Sequence, residues 1–492
     1  MDKMKKIIDY IKQISNSNCL ISATKIDTKN SFSWCDIEDY LISEHPDAIL
    51  LDSQEKAITQ TNRYSIIGFN VAFCVYTKYN SDGTYTSYVE DADNNAVIID
   101  DALEYLSETT KSLKNEFYKD TLDDLPFYCG FMGMISYDYQ CHLPKNKVLL
   151  PDVNNRIGHP VLMFRFCTNS IIRDLKDNSI YLTGFNTNDL SEDFIFKLKN
   201  HIHQKSNADK KQQAENKNST KEFKSNISYK QYISDLNNVH NAIYKGDVYQ
   251  INYTARYSTD YSNDPIDLYR RLRKVNPAPY AAFFKCNTCY VVSSSPELFI
   301  KVQDRGILTK PIKGTIKKTD DKKQNEELIN ILKNSKKDKS ELLMIVDLER
   351  NDFSKICKSG SVKVTKLFEI EEYPTLYHLV SQVEGQLEDT ISFADIIKAT
   401  FPGGSITGAP KLSAINHIRQ LEHSPRELYT GSIGYIDISE NMQFNIVIRT
   451  VIVSDGKAYI SAGGGIVWDS DPDSEYSESL LKARVFKAVL CS

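Results

Sequence analysis

The 492-residue chain has no apolar run approaching the roughly 18 residues of a membrane-spanning helix, so no membrane partner is expected. It also lacks a basic excess. Its 60 Lys and Arg stand against 65 Asp and Glu, a formal net charge of −5, which gives no reason to expect nucleic acid as a partner. The start, MDKMKK followed by IIDYIK, is a mixed pattern and not the apolar core of a secretion signal. Two nucleotide-binding signatures are missing. No βαβαβ alternation carries a dinucleotide fingerprint, and the GxxxxGK[ST] spacing of a phosphate loop is absent. Also missing is a class I glutaminase signature, a nucleophilic cysteine in a glycine-rich elbow with a downstream histidine–glutamate pair. The ten cysteines are scattered, and Cys286 and Cys289 form a lone C-x-x-C among strand-like residues. Without a second pair they read as reduced thiols at a hairpin, in a cytoplasmic protein.

What is present divides into three parts. Residues 1–200 begin with a short lysine-bearing helix and then alternate short β-like runs with polar turns, such as 48–53, 64–71, 161–166 and 179–182. Residues 201–227 are almost without apolar side chains and read as an exposed linker that cannot offset its ordering entropy. Residues 228–492 mix helical and strand periods. A helical stretch at 324–350 has a lysine-rich break near 334–339, strands fall near 361–365, 434–438, 444–453 and 458–460, and a helix starts at about Pro472. Clustered strands with helices between groups predict an α+β fold with large, mainly antiparallel sheets flanked by helices.

The richest stretch is FPGGSITGAPK at 401–411. Gly403, Gly404 and Gly408 permit close backbone approach, Ser405 and Thr407 offer hydroxyls, and Lys411 brings a positive charge. Helical spacing follows, so the stretch reads as a loop opening a helix where an anion could be held. An ordinary glycine-rich turn is the alternative. Glu475 and Glu478 share a helix face near its start, suited either to a hard cation or to solvent, with Asp471 as cap and Pro472 at the first position. Glu341 opens an apolar run, where a carboxylate needs a partner or an ion. Gly463, Gly464 and Gly465 expose backbone N–H groups, as a carboxylate nest or merely a strand exit. Arg449 ends the β-like run 444–448 and requires an anion, from the protein or from a ligand. Lys313 lies between an apolar residue and a glycine; if desolvated rather than exposed, its amine becomes a nucleophile. His378 is a lone histidine in an apolar context, either a packed core residue or a site group.

These residues closely resemble the chorismate-utilising enzymes. The likeness covers essentially 228–488 and is carried by GDVYQINYTARYS (246–258), NPAPYAAFF (276–284), SSSPELF (293–299), PIKGT (311–315), ELLMIVDLERND (341–352), GSVKV (360–364), YHLVSQVEG (377–385), FPGGSITGAPK (401–411), YTGSIGYI (429–436), IVIRT (446–450) and AGGGIVWDSDP..EYSES (462–479). A weaker likeness continues in LLDS (50–53) and RYSIIG (63–68). The resemblance implies a magnesium-dependent site for chorismate. By position, Glu341, Glu475 and Glu478 correspond to the metal ligands, and Tyr429, Arg449 and Gly465 to contacts with the enolpyruvyl carboxylate. Gly463, Gly464, Lys411 and Thr407 stand with them as substrate-binding residues. Glu297 corresponds to the general acid/base and His378 to the active-site histidine.

Two positions select a branch of that family. Lys313 is the form found where chorismate is aminated at C4, whereas alanine is usual where anthranilate is made. Gln250 replaces the lysine that activates water in isochorismate-forming members, which argues against water as nucleophile. Ile316-Lys317-Lys318 departs from the family, which usually carries an arginine soon after the threonine. LLDS resembles a tryptophan pocket, so Leu51 and Ser53 mark a tryptophan site or simply a strand. Without a glutaminase signature, ammonia is expected from a separate glutamine amidotransferase subunit or from free ammonium. The anthranilate branch and a non-catalytic binding subunit are the competing readings. The complete set of candidate acids, base and amine argues against the latter.

Overall fold

A computed structural model describes residues 8–13, 20–27, 32–54, 61–119, 125–143, 156–208, 222–373 and 376–490. Among these, 22 strands join one hydrogen-bonded network, flanked by helices, and its ladders are antiparallel. The expected α+β class with mainly antiparallel sheet is what the chain adopts.

Period-2 alternation explains how the strands bury both faces. In the strand Gly130–Ile135, Phe131 and Ile135 enter one core while Met132 and Met134 enter another. In Tyr280–Cys286, Ala282 and Phe284 join Met132 and Met134, whereas Ala281 and Phe283 face a third core. That shared core lies between strands from both ends of the chain. The outer cores are covered by helices: Ala102–Phe117 and Phe393–Thr400 on one, Trp34–Glu44 and Pro265–Val275 on the other.

Two ladders stitch the early and late parts of the chain together. Ile49–Asp52 pairs with Tyr280–Cys286, and Gly130–Ile135 pairs with Ser432–Asp437. The segment 201–227 is only partly visible. Residues 201–208 end the helix Thr187–Ala208, Lys224 and Ser225 pair with Ser258 and Tyr257, and 209–221 lie outside the described residues.

The break in 324–350 is real and has a cause. Ser335 ends the helix Lys322–Asn334 and caps the helix Lys336–Phe353, its side chain accepting from the Asp338 N–H. Asp471 caps the helix Pro472–Leu490 through the Ser474 N–H at 2.9 Å. Cys286 and Cys289 face each other across a hairpin as buried free thiols. One run differs from expectation. The stretch 444–453 is not one strand: Met442–Asn445 and Thr450–Ser454 are separated by residues 446–449, and Arg449 sits at φ +51. Apolar residues run on through 446–448, so the apolar pattern alone cannot mark the break. Among the described residues no helix is long and apolar enough to cross a membrane.

Candidate active site

The site begins at an irregularity in one strand. Ile312–Lys317 pairs with Leu376–Gln386, but Lys313 lies opposite Leu379 and Thr315 opposite His378, so Gly314 is the extra residue of a bulge. Gly314 holds φ +66, and a Cβ there would come within 2.8 Å of Leu332 and 2.9 Å of Asp338. Only glycine fits. The bulge brings Lys313 and the Thr315–His378 pair into one region.

Lys313 points its Nζ at the backbone carbonyl of Ser405, 3.2 Å away. Burial lowers its pKa, opposed by the carboxylates of Glu341 and Glu297. Glu297 lies in the break between the strands Cys289–Ser295 and Leu298–Gln303. Burial raises its pKa, while the Ser405 hydroxyl, the Lys313 ammonium, the Ile312 N–H and Arg449 all favour its charged form. His378 is 2% exposed. Burial, then Arg449, lower its pKa to about 3, so the imidazole is neutral. Its Nδ1 lies 2.8 Å from Thr315 Oγ1 and its Nε2 has no hydrogen-bond partner among the described residues. Arg449 is half-buried, which lowers its pKa against the pull of Glu297 and Tyr373. Its Nη1 donates to Asn276 Oδ1 at 3.3 Å. Among the described residues its half-buried guanidinium has no bidentate carboxylate partner.

The three carboxylates proposed as metal ligands flank Lys313 on the helices Lys336–Phe353 and Pro472–Leu490. Burial raises Glu341, with Lys313 and Lys337 opposing and Asp338 and Glu475 reinforcing. Glu475 accepts from the Ser470 hydroxyl at 2.8 Å and meets Lys337 at 3.5 Å. Burial would raise Glu478, but Lys482, Lys337 and Lys313 together draw it below the usual carboxylate range. Lys482 meets it at 2.8 Å. The donors are hard oxygens suited to magnesium, and desolvation raises Glu341 despite Lys313 and Lys337 nearby. As the side chains stand, no group of three or more acidic, histidine or cysteine residues among those described is arranged to hold an ion. Lys337 and Lys482 take their share of these carboxylates.

The 401–411 stretch does open a helix, Lys411–Leu421, but most of its polar groups face the protein. Lys411 Nζ binds Asp352 and donates to the Thr400 carbonyl at 2.8 Å. The Thr407 hydroxyl donates to the Gly403 carbonyl at 2.8 Å and is fully buried. A Cβ on Gly404 would lie 2.3 Å from Leu348, and one on Gly408 2.2 Å from the Gln250 carbonyl. The glycines thus serve close packing. Gly463, Gly464 and Gly465 form no nest: they lie in the strand Lys457–Ile466, opposite Thr254, Tyr253 and Asn252. A Cβ on Gly465 would come within 2.2 Å of the Gln250 side-chain nitrogen. Gln250 is wholly buried, and among the described residues both its amide atoms lack hydrogen-bond partners.

Tyr429 lines a separate small cleft with Arg426, His159 and Ser461, and burial raises its pKa. Leu51 and Ser53 line another, with Tyr280 and Asn445, of about 360 Å³ including open solvent at its mouth.

Three nearby groups were given no role at the reacting groups by the motifs, Ser405 having been read only as a hydroxyl of the loop. Ser405 joins Glu297 and Lys313. Asn252, two residues beyond Gln250 on the same strand face, donates to the Ser405 carbonyl at 3.3 Å. Glu349 faces Glu297 from the helix Lys336–Phe353; burial, then Glu297 and Asp352, raise its pKa well above the carboxylate range. The strand period could have found Asn252. Nothing local marks Glu349.

The class is defined by sequence comparison. Residues 59–488 match the chorismate binding enzyme family, and the chain belongs to it. It is 34% identical to aminodeoxychorismate synthase component 1 of Salmonella typhimurium, over 90% of this chain and 92% of that one. The Bacillus subtilis protein of the same name is also 34% identical, over 87% and 89%. The crystal structure of anthranilate synthase component I from Streptococcus pneumoniae superposes with a TM-score of 0.71 at 27% identity, covering 94% of this chain and 99% of that one.

Proposed function

We propose that the chain aminates chorismate at C4, giving 4-amino-4-deoxychorismate and water, on the route to 4-aminobenzoate and folate. The observation that carries this is Lys313: a half-buried amine of lowered basicity that feels both Glu297 and Glu341 and points its Nζ at the Ser405 carbonyl. A lysine of lowered basicity more readily gives up its proton to become a nucleophilic amine. In this reading the Lys313 amine bonds to C2, both ring double bonds shift by one position, and the C4 hydroxyl leaves as water with a proton from Glu297. Ammonia then bonds to C4, the two double bonds return, Lys313 is expelled as the amine, and the C4 ammonium returns a proton to Glu297. Arg449 binds a substrate carboxylate, for which it has a half-buried guanidinium. His378 offers a neutral imidazole through Nε2.

Magnesium would be held by Glu341, Glu475 and Glu478, where it would neutralise the ring carboxylate and stabilise charge as the allylic hydroxyl departs. Lys337 and Lys482 must then give up their carboxylate contacts. Ammonia would come from a glutamine amidotransferase subunit or from ammonium itself. The cleft at Leu51 and Ser53 is the candidate tryptophan site.

The test is product identity. The protein is incubated with chorismate, magnesium and ammonium at mildly alkaline pH, and products are separated by liquid chromatography and mass. The expected product yields 4-aminobenzoate only after a lyase is added. Anthranilate formed directly would overturn the C4 assignment.

A further inference from the structure

The 401–411 loop buries its threonine and lysine in contacts with the protein, yet one residue behaves otherwise. Ser405 is 5% exposed and meets both reacting groups. Its side chain faces Glu297 and favours the charged carboxylate. Its carbonyl accepts from Lys313 Nζ at 3.2 Å and from Asn252 Nδ2 at 3.3 Å. We propose that Ser405 is the positioning residue of this site, a single residue that sets the acid and the amine at a fixed separation. The inference rests on the roles given above to Glu297 and Lys313.

The mount under Ser405 is stiff. On one side Thr407 ties back to Gly403, and on the other Gly404 packs against Leu348. The Thr407 carbonyl also accepts from the Asn252 N–H at 2.9 Å, which locks the loop to the Gln250 strand. A serine hydroxyl held this way has one useful acceptor, the Glu297 carboxylate. Its hydrogen bond favours the charged form and opposes the effect of burial. The other groups facing Glu297 are Lys313 and the Ile312 N–H on the bulged strand, Arg449, and Glu349 from the helix Lys336–Phe353. Ser405 meets both Glu297 and Lys313 without bearing a charge.

Ser405→Ala separates the two contacts, because it removes the hydroxyl and leaves the carbonyl. Glu297 then loses a donor while Lys313 keeps its acceptor. The expected result is a fall in kcat of about tenfold or more with ammonium as nitrogen source, the cost of a lost hydrogen bond to a charged group. The KM for chorismate stays within about threefold, because Ser405 orients catalytic groups rather than substrate. The limb of the pH–rate profile set by Glu297 moves to higher pH. Ser405→Thr, which restores the hydroxyl, recovers the wild-type limb. Ser405→Cys keeps the volume with a weak donor and falls between wild type and alanine, so the series stands even if one variant folds poorly. Melting temperatures are recorded for all. An alanine or cysteine variant with wild-type kcat and an unmoved limb overturns the proposal. So does a fall in kcat that tracks lost folded protein with an unchanged profile. The wild-type product assay decides the reaction itself, so failure of that reading is seen separately.

Discussion

Lys313 and His378 show how far one side chain's environment departs from what its neighbours in sequence suggest. Among many lysines, PIKGT alone does not say which is desolvated. The structure answers through Gly314, whose positive φ permits the bulge that turns Lys313 inward. Lys313→Ala is therefore expected to slow formation of the C4 product by about a hundredfold or more, since the displacement loses its nucleophile. Chorismate binding should persist, and some C2 amination emerge. Unchanged C4 product formation by this variant removes the covalent role. His378 supplies a pH prediction. Its folded pKa is about 3 against an ordinary 6.5, so between these values the unfolded chain binds more protons than the folded one. Stability is therefore intact above pH 6.5 and lost as pH falls, by about 2 kcal/mol at pH 5. His378→Gln should show a smaller drop in melting temperature between pH 7.5 and 5 than the wild type. Equal drops in the two proteins would mean that His378 is not held neutral.

At the scale of elements, sequence reasoning succeeds where periodicity decides and fails where a distant partner decides. The paired helices meeting at Ser335 and the hairpin at Cys286–Cys289 are local events, so spacing and capping residues announce them. The glycine triplet at 463–465 is not local. Its close approach to Tyr253, whose carbonyl would lie 2.0 Å from a Cβ on Gly463, exists only because two strands some 200 residues apart pair. Composition suggested a nest and pairing produced a strand. The same holds for Lys411, whose place in a glycine-rich loop suggested an anion. Its ammonium instead joins the loop to the end of the helix Lys336–Phe353 through Asp352, both side chains being largely buried. Breaking a buried pair usually costs about 3–5 kcal/mol. Here Lys355 also meets Asp352, at 2.8 Å, and offsets part of the loss. Lys411→Ala should therefore destabilise the protein by about 2 kcal/mol in denaturant titration, with the chorismate KM changed less than about threefold. A tenfold rise in KM at unchanged stability would instead place Lys411 on the substrate.

For the whole molecule, the question is whether the catalytic part can stand without the rest. Residues 228–492 hold every candidate catalytic and metal-binding group, and the polar stretch before them reads as a boundary. Yet the core containing Met132 and Met134 also contains Ala282, Phe284, Ile433 and Ile452, so neither part closes it alone. The ladders at Ile49–Asp52 and Gly130–Ile135 would leave open strand edges on both parts if the chain were divided. Residues 209–221, by contrast, carry almost no apolar side chains with which to contribute to any core. Covalent continuity there should be dispensable while association is not. Residues 222–492 produced alone are expected to aggregate or to lack turnover. The same segment co-produced with residues 1–208 is expected to co-purify as a complex and to aminate chorismate at a rate within about tenfold of the intact chain, the penalty being loop-closure entropy rather than lost contacts. Full activity from 222–492 alone would show that the shared core and the two connecting ladders are not required to hold Lys313, Glu297 and Ser405 in place.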